Sequence, residues 1–474
     1  MDVTTWVRWI VEILLVIVVL QVVFVIISEN RNPYKTISWL LVLTFLPILG
    51  LILYFHFGEE HRKKYKIVKK LYKGIEKDYA PQFEIQSSEY FLKEYDKLVE
   101  LLNNIGASPV LSGNKVDFYI DGEDKFRQFF LDIENAKHHV HILYYKIIDD
   151  NLGYLFRDLL IKKAKEGVAV RVIYDDVGSL KTKNKYFEGM IKEGVEVQAF
   201  LKVKIPRIAR SVNYRNHRKL AVIDGTIGYV GGMNIADNYI TGVSWGVWRD
   251  MQIRIEGDGV KGLQKVFLQD WYFSNKSLPE SPDYFPKMKS YGNNPLQIVS
   301  SGPIDIYNSI ERGIFQAING AKKNIYIQTP YFIPSDSVLT ALLTAAISGV
   351  DIHVMLPKKS DNFFVDGATY SFVRDLLNYN INVYLYTGGF IHTKCMVVDD
   401  LLTIVGSANM DVRSFELSFE TDAFIYDEES AQKAKDIFLN DALDSIKVVK
   451  EEWKKRPILR RFFESIMRIF TPLL

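Results

Sequence analysis

Cysteine is nearly missing from this chain. One thiol, Cys395, stands among 474 residues, so an internal disulfide is excluded and a reducing compartment suits the protein. Strand alternation puts Cys395 on the face opposite His392 and Lys394, as a small residue packed inward rather than a nucleophile. Two motifs of definite chemistry are also absent. Without a G-x-x-x-x-G-K-[ST] loop or an H-E-x-x-H pair, neither ATP nor zinc chemistry has an anchor in the sequence. Net charge is missing too: 59 Lys and Arg against 57 Asp and Glu leave +2, which singles out no strongly charged partner. A literal G-x-G-x-x-G does occur at Gly257–Gly262. A dinucleotide fold then needs a returning strand with an acidic end, whereas here the Ser-, Pro- and Asn-rich stretch 275–296 follows, so the glycines read as a strand-to-helix turn.

Long apolar runs are present at the start. Residues 9–27 and 37–57 are each about 20 residues of nearly unbroken apolar sequence, the length that crosses a hydrocarbon core of about 30 Å. Trp6, Trp9, Trp39 and Tyr54 lie near their ends, where aromatic rings favour the interface. They read as a two-helix transmembrane hairpin over 1–58, with Glu12 and Gln21 in interfacial or inward-facing places. The first run lacks the basic beginning and small-x-small end of a cleaved signal. His61-Arg62-Lys63-Lys64, Lys66, Lys69 and Lys70 outweigh Arg31 and Lys35 of the connecting loop, so the positive-inside rule puts the rest of a multi-pass protein on the cytoplasmic side of the cell membrane. Residues 59–110 form a basic, helical connector. At 451–474, Pro457 opens an amphipathic helix with Leu459, Phe462, Phe463, Ile466 and Phe470 on one face and Arg461, Glu464 and Arg468 on another. Periodicity alone suits an anionic bilayer and the protein body equally.

The most informative pattern is a repeat. His217-x-Lys219, Asp224 and Asn234 recur as His392-x-Lys394, Asp399 and Asn409 with every interval identical. Each copy reads as a β-hairpin with a two-residue turn, Asp224-Gly225 in the first and Asp399-Asp400 in the second. That register sets His217 opposite Gly232 and His392 opposite Ser407, with Lys219, Lys394, Asn234 and Asn409 on the histidines' face. Gly232 and Ser407 leave room for a phosphate to approach the backbone. The two aspartates fall in the turns and read as structural. The repeat extends upstream: Val140–Tyr145 parallels Ile325–Tyr331 and Gly167–Val172 parallels Gly349–Val354, each pair joined by a helical stretch. This is βαβ grammar, predicting an α/β (α+β) fold of two pseudo-repeated domains, 111–280 and 281–450, each a mixed sheet flanked by helices.

Both copies fit the pattern H-x-K-x4-D followed by G-(G/S)-x-N, and on these residues the chain resembles the phospholipase D superfamily, with surrounding strings similar to its bacterial cardiolipin synthases over nearly the whole length. The resemblance implies two phospholipase D-like domains after the hairpin and a catalytic set of His217, Lys219, Asp224, His392, Lys394 and Asp399. It further implies orienting carboxylates at Asp250 and Glu420, and transfer of a phosphatidyl group between phosphatidylglycerol molecules with glycerol released, without metal or other cofactor. His217 takes the nucleophile's role by the superfamily's usual assignment, leaving His392 as acid and then base. The chemistry fits the residue types: a neutral imidazole attacks phosphorus, a protonated one serves the leaving alkoxide, and ammonium and carboxamide groups (Asn234, Asn409) hold the phosphoryl oxygens. Lys202, Lys204, Arg207 and Arg210 read as a collector of anionic headgroups or as a solvated loop. Tyr331 touches substrate or packs at a strand end. The expected partners are anionic phospholipids and the bilayer, not nucleic acid. A hydrolytic phospholipase D differs only in the acceptor. A nuclease of the same superfamily is favoured by the basic segments and opposed by the spans and by the lack of a nucleic-acid module. An inactive scaffold is opposed by two intact sets of His, Lys and Asn.

Overall fold

The computed structural model describes residues 3–28, 33–54, 93–106, 108–203 and 214–471. They form two compact units, the N-terminal helices and the body after them. The basic cluster 61–70, much of the connector and Lys204, Arg207 and Arg210 lie outside the described residues.

In the first unit one helix, Val3–Ser28, contains the stretch Thr5–Phe24, the only one among the described residues long and apolar enough to cross a membrane. The second expected span departs from a single helix. It is two helices, Pro33–Phe45 and Pro47–Leu53, broken at Leu46 (φ −134°, ψ 64°). Pro47 lacks an N–H, and its ring pushes the preceding residue out of the helical region. Val22, Ile26, Leu43, Leu51 and Tyr54 share a small core, and Trp39 meets Tyr54 edge-on at 5.4 Å.

The body is organised by one sixteen-stranded mixed sheet. Seven strands of the first half, β1 Leu111–Tyr119, β2 His139–Tyr144, β3 Ala169–Asp175, β4 Glu196–Phe200, β5 Lys219–Ile223, β6 Ile227–Gly231 and β7 Gln252–Glu256, have counterparts in the second. These are β8 Asn294–Ser301, β9 Asn324–Gln328, β10 Asp351–Pro357, β11 Asn382–Tyr386, β12 Cys395–Val398, β13 Leu402–Gly406 and β14 Ser418–Tyr426. Their spatial order is palindromic: β4-β3-β2-β5-β6-β7-β1 runs into β8-β14-β13-β12-β9-β10-β11. The centre is the antiparallel β1–β8 pair, Leu111 beside Leu296. The pairs β2–β3, β3–β4, β9–β10 and β10–β11 are parallel, as crossover helices Asn151–Lys165, Asn184–Lys192, Asp336–Ile347 and Phe363–Asn378 require. Strands such as β2 (HVHILY) and β5 (KLAVI) are buried along their whole length because helices cover both sheet faces.

Three cores follow from this layering: one per half, and a third shared by both, where helices Gly259–Asn275 and Glu428–Leu443 lie on the sheet. The glycines of the G-x-G-x-x-G string serve that packing. A Cβ on Gly262 would sit 2.8 Å from Ile298, and Gly257 (φ +129°) passes against the backbone of Gly113 and Asn114. Within the former connector, helix Asp96–Gly106 inserts Leu98 and Leu102 into the second half's core beside Ile310 and Ile314.

The hairpins differ from the expected register by one residue. Leu220 pairs with Val230 and Ile223 with Ile227, so Asp224-Gly225-Thr226 is a three-residue loop; Val398 with Leu402 gives the same length in the second copy. Positive φ at Asp224 and Gly225 (52° and 64°), and at Asp399 and Asp400 (55° and 59°), turns the chain within that loop. His217 and His392 consequently do not stand opposite Gly232 and Ser407.

Candidate active site

Both histidines lie just before the hairpins, each at the end of a short strand that crosses to the other half. Arg215–Asn216 pairs in parallel with Ser418–Phe419, and Gly389–Ile391 pairs in parallel with Val247–Arg249. Continued by one residue, these registers bring His217 to Glu420 and His392 to Asp250. The backbone locks them there: His217 N–H donates to the Phe419 carbonyl at 2.9 Å and His392 N–H to the Arg249 carbonyl at 2.6 Å. His217 Nδ1 then lies 2.9 Å from Glu420 Oε1, and His392 Nδ1 lies 2.6 Å from Asp250 Oδ2. Each imidazole is therefore held by a carboxylate of the opposite repeat. A carboxylate at Nδ1 fixes the N–H there and leaves Nε2 for the substrate.

Lys219 and Lys394 project into the same space, each Nζ donating to the carbonyl of the histidine in its own motif. Lys394 Nζ also lies 3.1 Å from His392 Nδ1, and the N–H groups that remain on the two lysines can serve phosphoryl oxygens. Burial drives Lys219 down to about 7 and Lys394 to about 8, with Glu420 and Asp250 opposing the fall at both. His217 is pushed well below the usual imidazole range by burial, then by Lys219, Lys394, His392 and Arg413. His392 is lowered by burial and Lys394, with Asp250 pulling the other way. The two half-sites thus form one electrostatic unit. Burial has weakened both ammonium groups, so a negative charge brought among them would restore their charged forms.

Several expected roles move. Asp224 and Asp399 sit in the hairpin loops, as their turn positions indicated, and not with the imidazoles as the motif set implied. Asp224 accepts the N–H groups of Lys137, His138 and His139; Asp399 accepts those of Lys322, Lys323 and Asn324. Gly232 and Ser407 serve the carboxylates instead of leaving an open spot. A Cβ at Gly232 would fall 2.0 Å from Asp250 Oδ1, and Ser407 Oγ donates to Glu420 Oε2. Asn234 is engaged by Tyr239 Oη and Lys146 N–H, whereas Asn409 Oδ1 is buried with no hydrogen-bond partner among the described residues.

Other site neighbours were not singled out from the sequence. Tyr145 meets the His217 ring edge-on at 4.9 Å, and Trp248 lies 5.4 Å from that of His392. Two residues past each orienting carboxylate the halves differ. Gln252 Oε1 accepts Met233 N–H in the first, while Asp422 accepts Ser407 and Ala408 N–H in the second. Burial pushes Glu420 and Asp422 each up to about 7, and the Glu420 charge adds to the rise at Asp422. Tyr331 Oη donates to Asp361 at 2.6 Å. Among the described residues no three His, Cys, Asp or Glu side chains converge in a metal-binding cluster.

Comparison with known proteins decides the family. The model of the cardiolipin synthase, PLD-like domain matches twice, at residues 130–271 and 314–442, once per half. The chain belongs to the bacterial cardiolipin synthases. It is thus an enzyme of phosphatidyl transfer within the phospholipase D superfamily. Residues 13–59 match the phospholipase D-nuclease N-terminal model. The chain is 42% identical to the major cardiolipin synthase of Bacillus subtilis (strain 168), over 96% of this chain and 97% of that one. It is 40% identical to a cardiolipin synthase of Listeria monocytogenes serotype 4a (strain HCC23), over 98% and 99%. The crystal structure of a phosphatidylserine synthase from Haemophilus influenzae Rd KW20 superposes with a TM-score of 0.62 at 15% identity, covering 80% of this chain and 98% of that chain, which shows a shared fold.

Proposed function

We propose that the enzyme joins two phosphatidylglycerol molecules into cardiolipin and glycerol by two displacements at phosphorus, through a phosphohistidine. In the first, His217 Nε2 bonds to phosphorus, the bond to the glycerol oxygen breaks, and His392 Nε2 supplies that oxygen's proton. In the second, His392 takes a proton from the hydroxyl of another phosphatidylglycerol, whose oxygen bonds to phosphorus as the P–N bond breaks. One diester is exchanged for another, so no ATP is required. Lys219 and Lys394 bind the phosphoryl oxygens.

The observation that carries this reading is the reciprocal pairing of each imidazole with the other repeat's carboxylate, which leaves both Nε2 atoms free of the carboxylates and beside two lysines that act on both rings. Asymmetry between the pairs supports the order of events. The His217 side chain is 18% exposed against 9% for His392, and His392 makes the shorter carboxylate contact. Asp250 favours a proton on His392, while the neighbouring acid Asp422 stands beside Glu420, where the first repeat has neutral Gln252. His217 is accordingly the neutral nucleophile. We further propose a membrane hairpin with the body on the cytoplasmic face: the apolar stretch Thr5–Phe24 and the N-terminal family match at residues 13–59 support membrane association, and the basic residues that follow support the orientation.

Purified enzyme reconstituted with phosphatidylglycerol in the presence of a chelator tests this. Equal yields of cardiolipin and glycerol are expected; phosphatidic acid without cardiolipin would refute the synthase reading, and loss of turnover on chelation would refute the metal-free one.

A further inference from the structure

The C-terminal helix Ile458–Ile469 packs on the body by one face only. Phe463 and Met467 close over Gly367 of helix Phe363–Asn378, Arg468 pairs with Asp375 at 2.6 Å, and Glu464 is held by Arg456 at 2.6 Å. The helix does pack on the body, yet the packed face accounts for only about half of its apolar side chains. Ile458, Phe462 and Ile469 fall on one outward line at helical spacing, with Leu459 beside them, and all four are largely exposed, Leu459 by 79%. Phe363, 69% exposed, stacks on Phe463 at 4.8 Å and extends the patch onto the next helix together with Phe364. Single exposed apolar residues need no explanation, but a contiguous group of six marks an interaction surface.

Charge and position say what covers it. Between Lys450 and Phe470 there are seven basic and three acidic residues, and of the acids Glu464 is already neutralised by Arg456. Lys454, Lys455, Arg460 and Arg461 remain exposed beside the apolar patch. An apolar helix face edged with cations is the composition that seats in the headgroup region of an anionic bilayer. The patch is also linked to the site through Asp361, whose charge acts on Lys394. In the run from Lys359 to Phe363, Lys359 Nζ stands 4.1 Å over the Trp245 ring, Asp361 accepts from Tyr331 Oη, and Phe363 joins the patch.

From this juxtaposition we infer that the outer face of helix Ile458–Ile469, with Phe363 and Phe364, is a second membrane-docking surface, separate from the N-terminal helix. It seats the body on anionic lipid by the side from which Asp361 acts on Lys394. The inference rests on the proposed lipid substrate only for its purpose; docking itself needs no turnover.

The full chain carrying Phe462→Cys, labelled with a fluorescent maleimide and reconstituted into vesicles, tests it. Cys395 is buried and its thiol is pushed up to about 12, so the label goes to the introduced thiol. Brominated acyl chains are expected to quench the label at least about threefold more strongly in phosphatidylglycerol vesicles than in phosphatidylcholine vesicles at low salt. The N-terminal helix anchors the chain in both, so the difference reports the patch. A Leu459→Ser/Phe462→Ser variant is expected to raise KM for vesicular phosphatidylglycerol about tenfold while leaving kcat, and turnover of a short-chain soluble substrate, unchanged. Absence of quenching, equal quenching in the two lipids, or concentration-dependent crosslinking between copies through the introduced thiol would overturn the inference. Quenching is read without turnover, so it stands or falls separately from cardiolipin production.

Discussion

Replacing Asp250 by Asn separates the two histidines' duties. Asp250 is fully buried; its Oδ1 accepts the Met251 N–H at 2.8 Å while Oδ2 faces His392 Nδ1 at 2.6 Å. An asparagine keeps the first bond, and its amide N–H then faces Nδ1, which forces the imidazole proton onto Nε2 and withdraws support for the charged form. Losing an orienting carboxylate in this way costs up to about 10⁴-fold, and losing general acid catalysis alone costs about 10²–10⁴. The expected fall in kcat with phosphatidylglycerol is therefore about 10²–10⁴, equivalent to about 3–5 kcal/mol of barrier. A phosphatidyl ester of p-nitrophenol discriminates, because its leaving group departs as a stable anion and needs no proton. Stopped-flow absorbance of the first turnover should show p-nitrophenolate release by Asp250→Asn within about tenfold of the parent, whereas Glu420→Gln, which weakens the nucleophile's support, should be slow with both substrates. Equal losses on the two substrates for Asp250→Asn would refute the assignment of His392 as the acid.

Three further outcomes follow from the geometry. Asp224→Ala removes an acceptor for three backbone N–H groups and should cost about 2–4 kcal/mol in chemical denaturation, with the activity per folded molecule retained; a collapse of kcat at full stability would return Asp224 to the reacting set. Lys125 is fully buried, its main hydrogen bond running to Tyr144 Oη at 3.2 Å, and burial holds its amine well below the usual lysine range. Burial disfavours the charged amine in the folded state, so Lys125→Met should stabilise the enzyme by about 1–3 kcal/mol, the gain widening as pH falls; a destabilised variant would contradict this. His139 is lowered to about 4 by burial, so the unfolded chain binds the extra proton between about 4 and 6.5. Stability should fall across that window by up to about 3 kcal/mol as the solution is acidified, and thermal melts of His139→Phe should lack this part of the loss.

What the sequence revealed follows the reach of each signal. Repeated intervals exposed the two half-sites and the βαβ strands before them, and alternation exposed the inward-facing Cys395. The one-residue error in hairpin register arose because Asp-Gly and Asp-Asp promise a turn without stating its length, which is set by consecutive positive φ values within a three-residue loop. The pairing of His217 with Glu420 spans 203 positions and depends on a two-residue strand, Arg215–Asn216, too short to leave a periodicity. Gly232 looked like space for a ligand because a glycine's emptiness does not say what fills it; here it is Asp250. Pro47 was visible inside the second apolar run, and hydropathy averaged over it. Helix Asp96–Gly106 gave no hint that it serves the second half's core, since a helical pattern reveals that a face is buried and not against what.

The central claim is that two repeats build one site in which His217 carries the phosphatidyl group. Rapid quenching of the enzyme with radiolabelled phosphatidylglycerol at neutral pH, followed by peptide mapping under alkaline conditions that preserve phosphohistidine, tests it most directly. The account predicts label on the peptide containing His217, still formed by His217-intact enzyme bearing Asp250→Asn when the p-nitrophenyl ester is used, and abolished by His217→Ala. Label on the peptide containing His392, surviving His217→Ala, would contradict it.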